Sequence, residues 1–293
     1  VLDFRYHAVT IVAVLVALTL GVLLGVAIGD KGLVSSAEND LRSNLRQVIH
    51  DRNKNIEDLK GQLKQQSEVE KATYPLLVGE RLPGQRVALI FLGDNDEKIT
   101  SLVKQSLQGT GATLSLDAAV REPLDLGALS DRAKGTRYAL MESDPSLISP
   151  FGDRMGSQLV LGGGLIRRER SALFRSASGR LTPAANAVIV VRNEPDGMTK
   201  VQQAQVNDFE TGFMRGIRNS GNDTPLVGVG TTETDPSQTD WYRENGASSV
   251  SNLDEFAGRA SLVFVLSGND GAYGHGSGEQ LLPALSGGTS QTP

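Results

Sequence analysis

The chain has 293 residues, with 34 acidic against 29 basic side chains and a net charge of −5. That balance argues against a general nucleic-acid binder, for which a basic face is expected. The absence of cysteine excludes disulfides, thiolate metal sites and cysteine nucleophiles.

In chain order, residues 1–7 (VLDFRYH) read as a short head, with Arg5 able to snorkel and Phe4 and Tyr6 suited to an interfacial aromatic belt. From Ala8 to Gly29 no charge occurs, and a helix of that length is about 33 Å long, close to the roughly 30 Å hydrocarbon core of a bilayer. The segment is predicted to be an uncleaved transmembrane anchor. The small residues Ala27-Ile28-Gly29 keep a cleaved signal peptide open as the alternative. Gly21, Gly25 and Gly29 recur every fourth residue, a small-xxx-small face on which two helices can approach closely and form a homodimer. Glycine is also common in membrane helices, which is the plainer explanation. Basic residues give a poor orientation signal: Arg5 precedes the helix and Lys31, Arg42 and Arg46 follow it, a mild lean toward a cytoplasmic carboxyl-terminal part.

Residues 35–72 are polar, charged and free of proline. Leu45, Ile49, Ile56, Leu59 and Leu63 fall on an imperfect heptad seam, which predicts a coiled-coil stalk in a homodimer, with a solvated linker helix as the alternative. Tyr74-Pro75 and Leu82-Pro83-Gly84 are predicted to end the stalk.

A globular domain is predicted over 85–283 and a disordered tail over 284–293. Short apolar runs at Val87–Leu92, Ala112–Leu116, Arg137–Met141, Ala187–Val191, Pro225–Val229, Ser248–Val250 and Leu262–Leu266 read as strands. Helices are expected near Asp96–Gln108, Gln158–Leu161, Arg167–Phe174, Lys200–Ile217 and around Trp241-Tyr242. The alternation predicts an α/β, Rossmann-like fold with a mostly parallel sheet.

No motif brings catalytic chemistry with it. Gly93-Asp94-Asn95-Asp96 stands where a Rossmann phosphate loop would, but it has one glycine and its charge repels phosphate; Asp94 with Glu97 reads as a capping box. Gly162-Gly163-Gly164 reads as a hinge, since no Lys-Ser/Thr follows, and Gly228-Val229-Gly230 is a weak signal. Of the three histidines, His7 lies at the membrane edge and His50 in the stalk, so a hydrolytic triad would need His275, and no G-x-S-x-G elbow occurs. His275 lies in the glycine-rich stretch Ser267–Gly278, expected as a mobile loop at the carboxyl end of the last strand. Trp241, Tyr242, Tyr273 and His275 are candidates for a partner-binding surface, and Trp241 is equally a candidate core residue. No enzyme activity and no cofactor are expected. Met141, Met155, Met198 and Met214 are scattered singly, so composition does not suggest copper.

The assembled pattern resembles a known family. Its amino-terminal features are Phe4-Arg5-Tyr6-His7, the glycine-spaced helix and the stalk. Its carboxyl-half features are Leu226–Gly230 with Thr231-Thr232, Asp235–Gln238, Trp241-Tyr242-Arg243, Gly246–Asn252, and Gly271–Gly274 ahead of Leu282-Pro283. This is similar to the actinobacterial MctB family, named for mycobacterial copper transport protein B. The resemblance implies a single-pass protein with its bulk outside the cytoplasmic membrane, a role in copper homeostasis or export, and an outer-membrane location in some descriptions. For some members it implies a cell-division partnership acting through peptidoglycan hydrolases. The expected strands are short and separated by helices, unlike the roughly ten-residue alternating strands of an outer-membrane barrel. A membrane-anchored dimeric adaptor without chemistry of its own is therefore the second reading.

Overall fold

In the computed structural model, residues 4–29, 31–181, 185–221 and 223–283 are described. The expected tail 284–293 and the first three residues of the head lie outside them. The chain divides into two units, Val1–Val69 and Glu70–Pro293.

The first unit is helical. Helix α1 spans Phe4–Gly29, and its stretch Tyr6–Ala27 has a mean hydropathy of 2.8 with none of it buried. Apolar side chains facing outward on every side suit a lipid surround, either as an anchor or as a signal segment. Helix α2 spans Lys31–Val78, longer at both ends than the stalk expected from sequence. Leu45, Ile49, Ile56, Leu59 and Leu63 are all exposed on it.

The second unit begins in the last turns of α2. The sequence predicts that Tyr74-Pro75 ends the helix, yet it continues to Val78. An interior proline costs about 3 kcal/mol. Packing offsets this: the Tyr74 hydroxyl donates to the carbonyls of Ser106 (2.9 Å) and Arg259 (3.2 Å), and its ring meets Phe256 edge-on at 5.8 Å. Val78 and Leu82 just beyond are fully buried.

Among the described residues seven strands form one sheet: β1 Arg86–Gly93, β2 Thr113–Val120, β3 Phe174–Gly179, β4 Ala187–Asn193, β5 Leu226–Val229, β6 Ser248–Val250 and β7 Ala272–Tyr273. Their order is β3-β2-β1-β4-β5-β6-β7, and every neighbouring pair is parallel except β2 with β3. The mixed α/β fold with a mostly parallel sheet is as expected. In β1 the continuous apolar run divides by the two-residue period of a strand. Ala88, Ile90 and Leu92 join a core with Phe151, Phe209 and Phe213, while Val87, Leu89 and Phe91 join another with Ile99, Val103 and Leu262. Both faces are covered, which is why the run shows no polar alternation.

The helices of this unit are α3 Glu97–Leu107, α4 Leu126–Arg132, α5 Ile148–Leu161, α6 Gly164–Leu173, α7 Lys200–Arg218, α8 Pro236–Glu244 and α9 Phe256–Leu266. Helix α3 is capped by Asp96, whose side chain accepts from Lys98 N and Ile99 N; Asp94 is not the cap. Two predicted strands are helical. Arg137–Leu140 forms a 3-10 turn, because buried Tyr138 and Met141 lie three residues apart, the helical spacing. Leu262–Leu266 ends α9, and all five of its side chains are buried. An apolar run enclosed on all sides carries no period to separate helix from strand. The antiparallel edge strand β3, mostly polar and exposed, has no counterpart among the expected elements.

Helices α5 and α7 pack backbone to backbone. A Cβ added at Gly152 or Gly156 would collide with the carbonyl of Phe209 or Phe213, and one at Gly212 or Gly216 with that of Ser149 or Asp153. Two glycine pairs, each four residues apart, thus form a reciprocal contact within the folded domain.

Candidate functional site

Strand order sets where a ligand would be expected. The chain leaves β1 toward β2 on one side and pairs with β4 on the other, so the topological switch point lies between β1 and β4. In open α/β sheets the crevice at the carboxyl ends of such strands is the usual binding place. Here the protein closes it with its own groups. Gly93 adopts φ 100°, a conformation favouring glycine, which lets Asp94 N donate to the Asn193 carbonyl at 2.9 Å. Asn193 Nδ2 returns a bond to the Asp94 carbonyl at 2.9 Å, and a side chain on Gly93 would strike the Asn193 carbonyl. Arg175 reaches in from β3, pairing with Asp94 and donating to the Glu122 carbonyl at 2.9 Å.

Beneath this closure lie two buried acids, Glu122 at 1% and Glu210 at 0% exposure. Glu210 accepts from Arg192 Nε at 2.9 Å, and Arg192 also pairs with Glu194. Both oxygens of Glu122 and one of Glu210 have no hydrogen-bond partner among the described residues. Burial pushes the Glu122 carboxyl up to about 9; the charges of Glu210 and Glu194 add to the rise, while Arg192 and Arg175 oppose it. Burial likewise raises Glu210 to about 7 against the pull of Arg192. Such surroundings disfavour a phosphate, in keeping with the single glycine of the Gly93–Asp96 turn.

A second concavity, about 340 Å³, opens at the carboxyl ends of β5, β6 and β7. His275 Nε2 lies 2.6 Å from Glu255 Oε2, which also accepts from Asn252 Nδ2 at 3.0 Å. The Ser251 hydroxyl donates to Glu279 Oε2 at 2.8 Å, an oxygen shared with Gly276 N at 2.7 Å. Thr232 holds Asp254 through its amide (2.9 Å) and hydroxyl (2.6 Å). The loop carrying His275 follows β7, so it does lie at the carboxyl end of the last strand, although that strand is not the one anticipated. Histidine and serine each engage a different carboxylate, which sets them apart as two separate pairs.

The four residues expected on a partner surface separate. His275 is exposed, and Trp241 is half-buried under the Arg192 guanidinium, 4.6 Å from its ring centre. Tyr242 and Tyr273 are interior, which corrects their assignment to a surface. The Tyr242 ring lies against Gly228, where a Cβ would collide with it; its hydroxyl accepts from Arg192 N at 2.8 Å and donates to the Val229 carbonyl at 3.4 Å. Space for an aromatic ring, rather than phosphate binding, accounts for that glycine. Tyr273 belongs to the core cluster that also holds Val229, Val250 and Leu253. On α1, a Cβ at Gly21 or Gly25 would meet nothing within 4 Å, while the surroundings of Gly29 lie outside the described side chains. The sequence reading missed Glu122 and Glu210, for nothing in their local sequence distinguishes a buried carboxyl from a surface one.

The copper implied by the resemblance would be cargo, and its fit rests on the donors. Met141, Met155 and Met214 are core residues, and Met198 stands alone at half-exposure. Among the described residues no three His, Asp or Glu side chains gather in a metal-holding group.

A family model described as copper transport outer membrane protein, MctB, matches residues 1–283. Comparison with curated proteins found no match.

Proposed function

The chain belongs to the MctB family, and from that membership we propose that it is a membrane-anchored cell-envelope protein serving copper homeostasis or transport. In this reading α1 holds it to the cytoplasmic membrane and the α/β domain works outside it. The family match across residues 1–283 carries the reading. The sheet is covered by helices on both faces, which favours a component acting with others over a pore made by the domain itself. No enzymatic step is assigned to it. Deleting the gene should raise cellular copper and lower copper tolerance, with both restored by the intact chain. Unchanged copper content and tolerance in the deletion strain would remove the proposal.

A second reading, a dimeric adaptor that recruits an envelope or cell-division partner such as a peptidoglycan hydrolase, is favoured by two observations. The apolar positions Leu45, Ile49, Ile56, Leu59 and Leu63 are exposed on α2, and Gly21 and Gly25 of α1 are open to a neighbour. A polar helix with one unburied apolar line gains most by pairing with a like helix. Crosslinking in intact cells, followed by identification of the captured proteins, should recover a second copy together with an envelope partner. Recovery of neither, with normal cell separation on deletion, would count against it.

A further inference from the structure

At the sheet margin beside β3 lies a shallow depression of about 500 Å³ lined by six arginines: Arg121, Arg132, Arg167, Arg168, Arg170 and Arg175. Among the described residues no acidic side chain lines it, in a chain whose net charge is −5. Some arginines elsewhere in the domain meet carboxylates, as Arg192 does with Glu210, Arg243 with Asp240 and Arg259 with Glu70. Within the depression Arg175 is paired with Asp94. The other five make no ion pair with a carboxylate among the described residues. Arg132 and Arg168 act on the Glu169 carboxyl only from a distance, and Glu169 is turned inward and buried.

Three of the five are held by neutral backbone oxygens. Arg121 Nε donates to the Ala172 carbonyl at 3.3 Å, Arg167 Nε to Gly163 at 3.1 Å, and Arg170 to Ala177 at 3.0 Å. A carbonyl orients a guanidinium without cancelling its charge, so the lining is preorganised and electrostatically unsatisfied. Arg170 also covers the outward carbonyl of Ala177 on β3, which disfavours addition of a peptide strand at that edge. Every cation is arginine, whose planar fork matches phosphate oxygens two at a time. Phosphate groups, with up to about two charges and three oxygens each, match five gathered cations more densely than carboxylates do.

We propose that this depression binds a ligand carrying more than one phosphate group, either soluble or displayed as headgroups on a lipid surface. The crevice between β1 and β4 is closed by the chain's own groups, whereas this margin gathers cations.

Titrate tripolyphosphate into the full chain in neutral detergent at low ionic strength, and in a parallel arm measure co-sedimentation of the full chain in bilayers with and without phosphatidylglycerol. Saturable binding in either arm is expected, and the arm that responds identifies the source. Arg167→Gln with Arg168→Gln, both exposed on α6, should weaken binding at least tenfold, while Lys104→Gln with Lys200→Gln should leave it within twofold. Absence of binding in both arms would overturn the site. So would equal binding by the α6 double variant with its thermal transition unchanged, or tighter binding of oligoglutamate than of tripolyphosphate.

Discussion

Glu122 is enclosed without a hydrogen-bond donor for either carboxyl oxygen among the described residues, and a neutral carboxylic acid is the state such surroundings tolerate. Its proton is held to about pH 9, and those of Glu210 and Glu169 to about pH 7, against 4.5 for the ordinary carboxyl. Above pH 4.5 the unfolded chain releases protons that these three groups keep in the fold, so their contribution to stability is full on the acid side. It declines as pH rises toward 7 and then 9. Urea unfolding between pH 5 and pH 8 should show this decline. Glu122→Gln, which stays neutral, should make it shallower by about 1.4 kcal/mol per pH unit; an unchanged slope would mean that Glu122 is ionised in the fold. Tyr242→Phe removes the acceptor of the Arg192 amide and should cost about 1 kcal/mol, read as a lower urea midpoint. Neither role was legible beforehand. Glu122 stands in a polar stretch before Pro123 and looks like a surface acid, and Tyr242 beside Trp241 looked like half of an exposed aromatic pair.

At the scale of elements, the close approach of α5 and α7 admits no side chain between their backbones. Gly156→Ala or Gly212→Ala should each destabilise the domain by about 1–3 kcal/mol through overpacking. Gly164→Ala, where a Cβ meets nothing within 4 Å, should change the urea midpoint little. This contact was in principle readable, since Gly152 with Gly156 and Gly212 with Gly216 repeat the four-residue spacing that drew attention to α1. Strands β1, β4 and β5 were legible because parallel strands buried on both faces appear as continuous apolar runs. The same logic misassigned Leu262–Leu266, since α9 is wrapped on every side and its pattern is equally continuous. Strand β3 failed for the opposite reason: an exposed edge carries serine, arginine and glycine instead of branched apolar residues. At Pro75, burial contributed by the docked helix end outweighed the local preference, and no window of sequence contains that contact.

For the whole molecule, the dimer proposed above predicts that Gly21→Leu with Gly25→Leu raises the dissociation constant at least tenfold. Sedimentation in detergent measures it, and an unaltered dimer would exclude that face. Ile49→Lys with Ile56→Lys tests the α2 line by the same measurement. Family membership and the apolar span were legible from end to end. The candidate sites were legible only in part: His275 was picked out as the sole histidine beyond the stalk, whereas the arginine depression draws on residues scattered from 121 to 175 that only the fold gathers. The stoppered crevice has a consequence for how this scaffold can diversify. Asp94, Glu122 and Glu194 stand just beyond β1, β2 and β4, and Glu210 lies in α7, so no single replacement would readmit a nucleotide at the customary doorway. New chemistry would more readily arise by drift around the outer rims of the sheet, where loops can lengthen without dismantling a proton-holding interior.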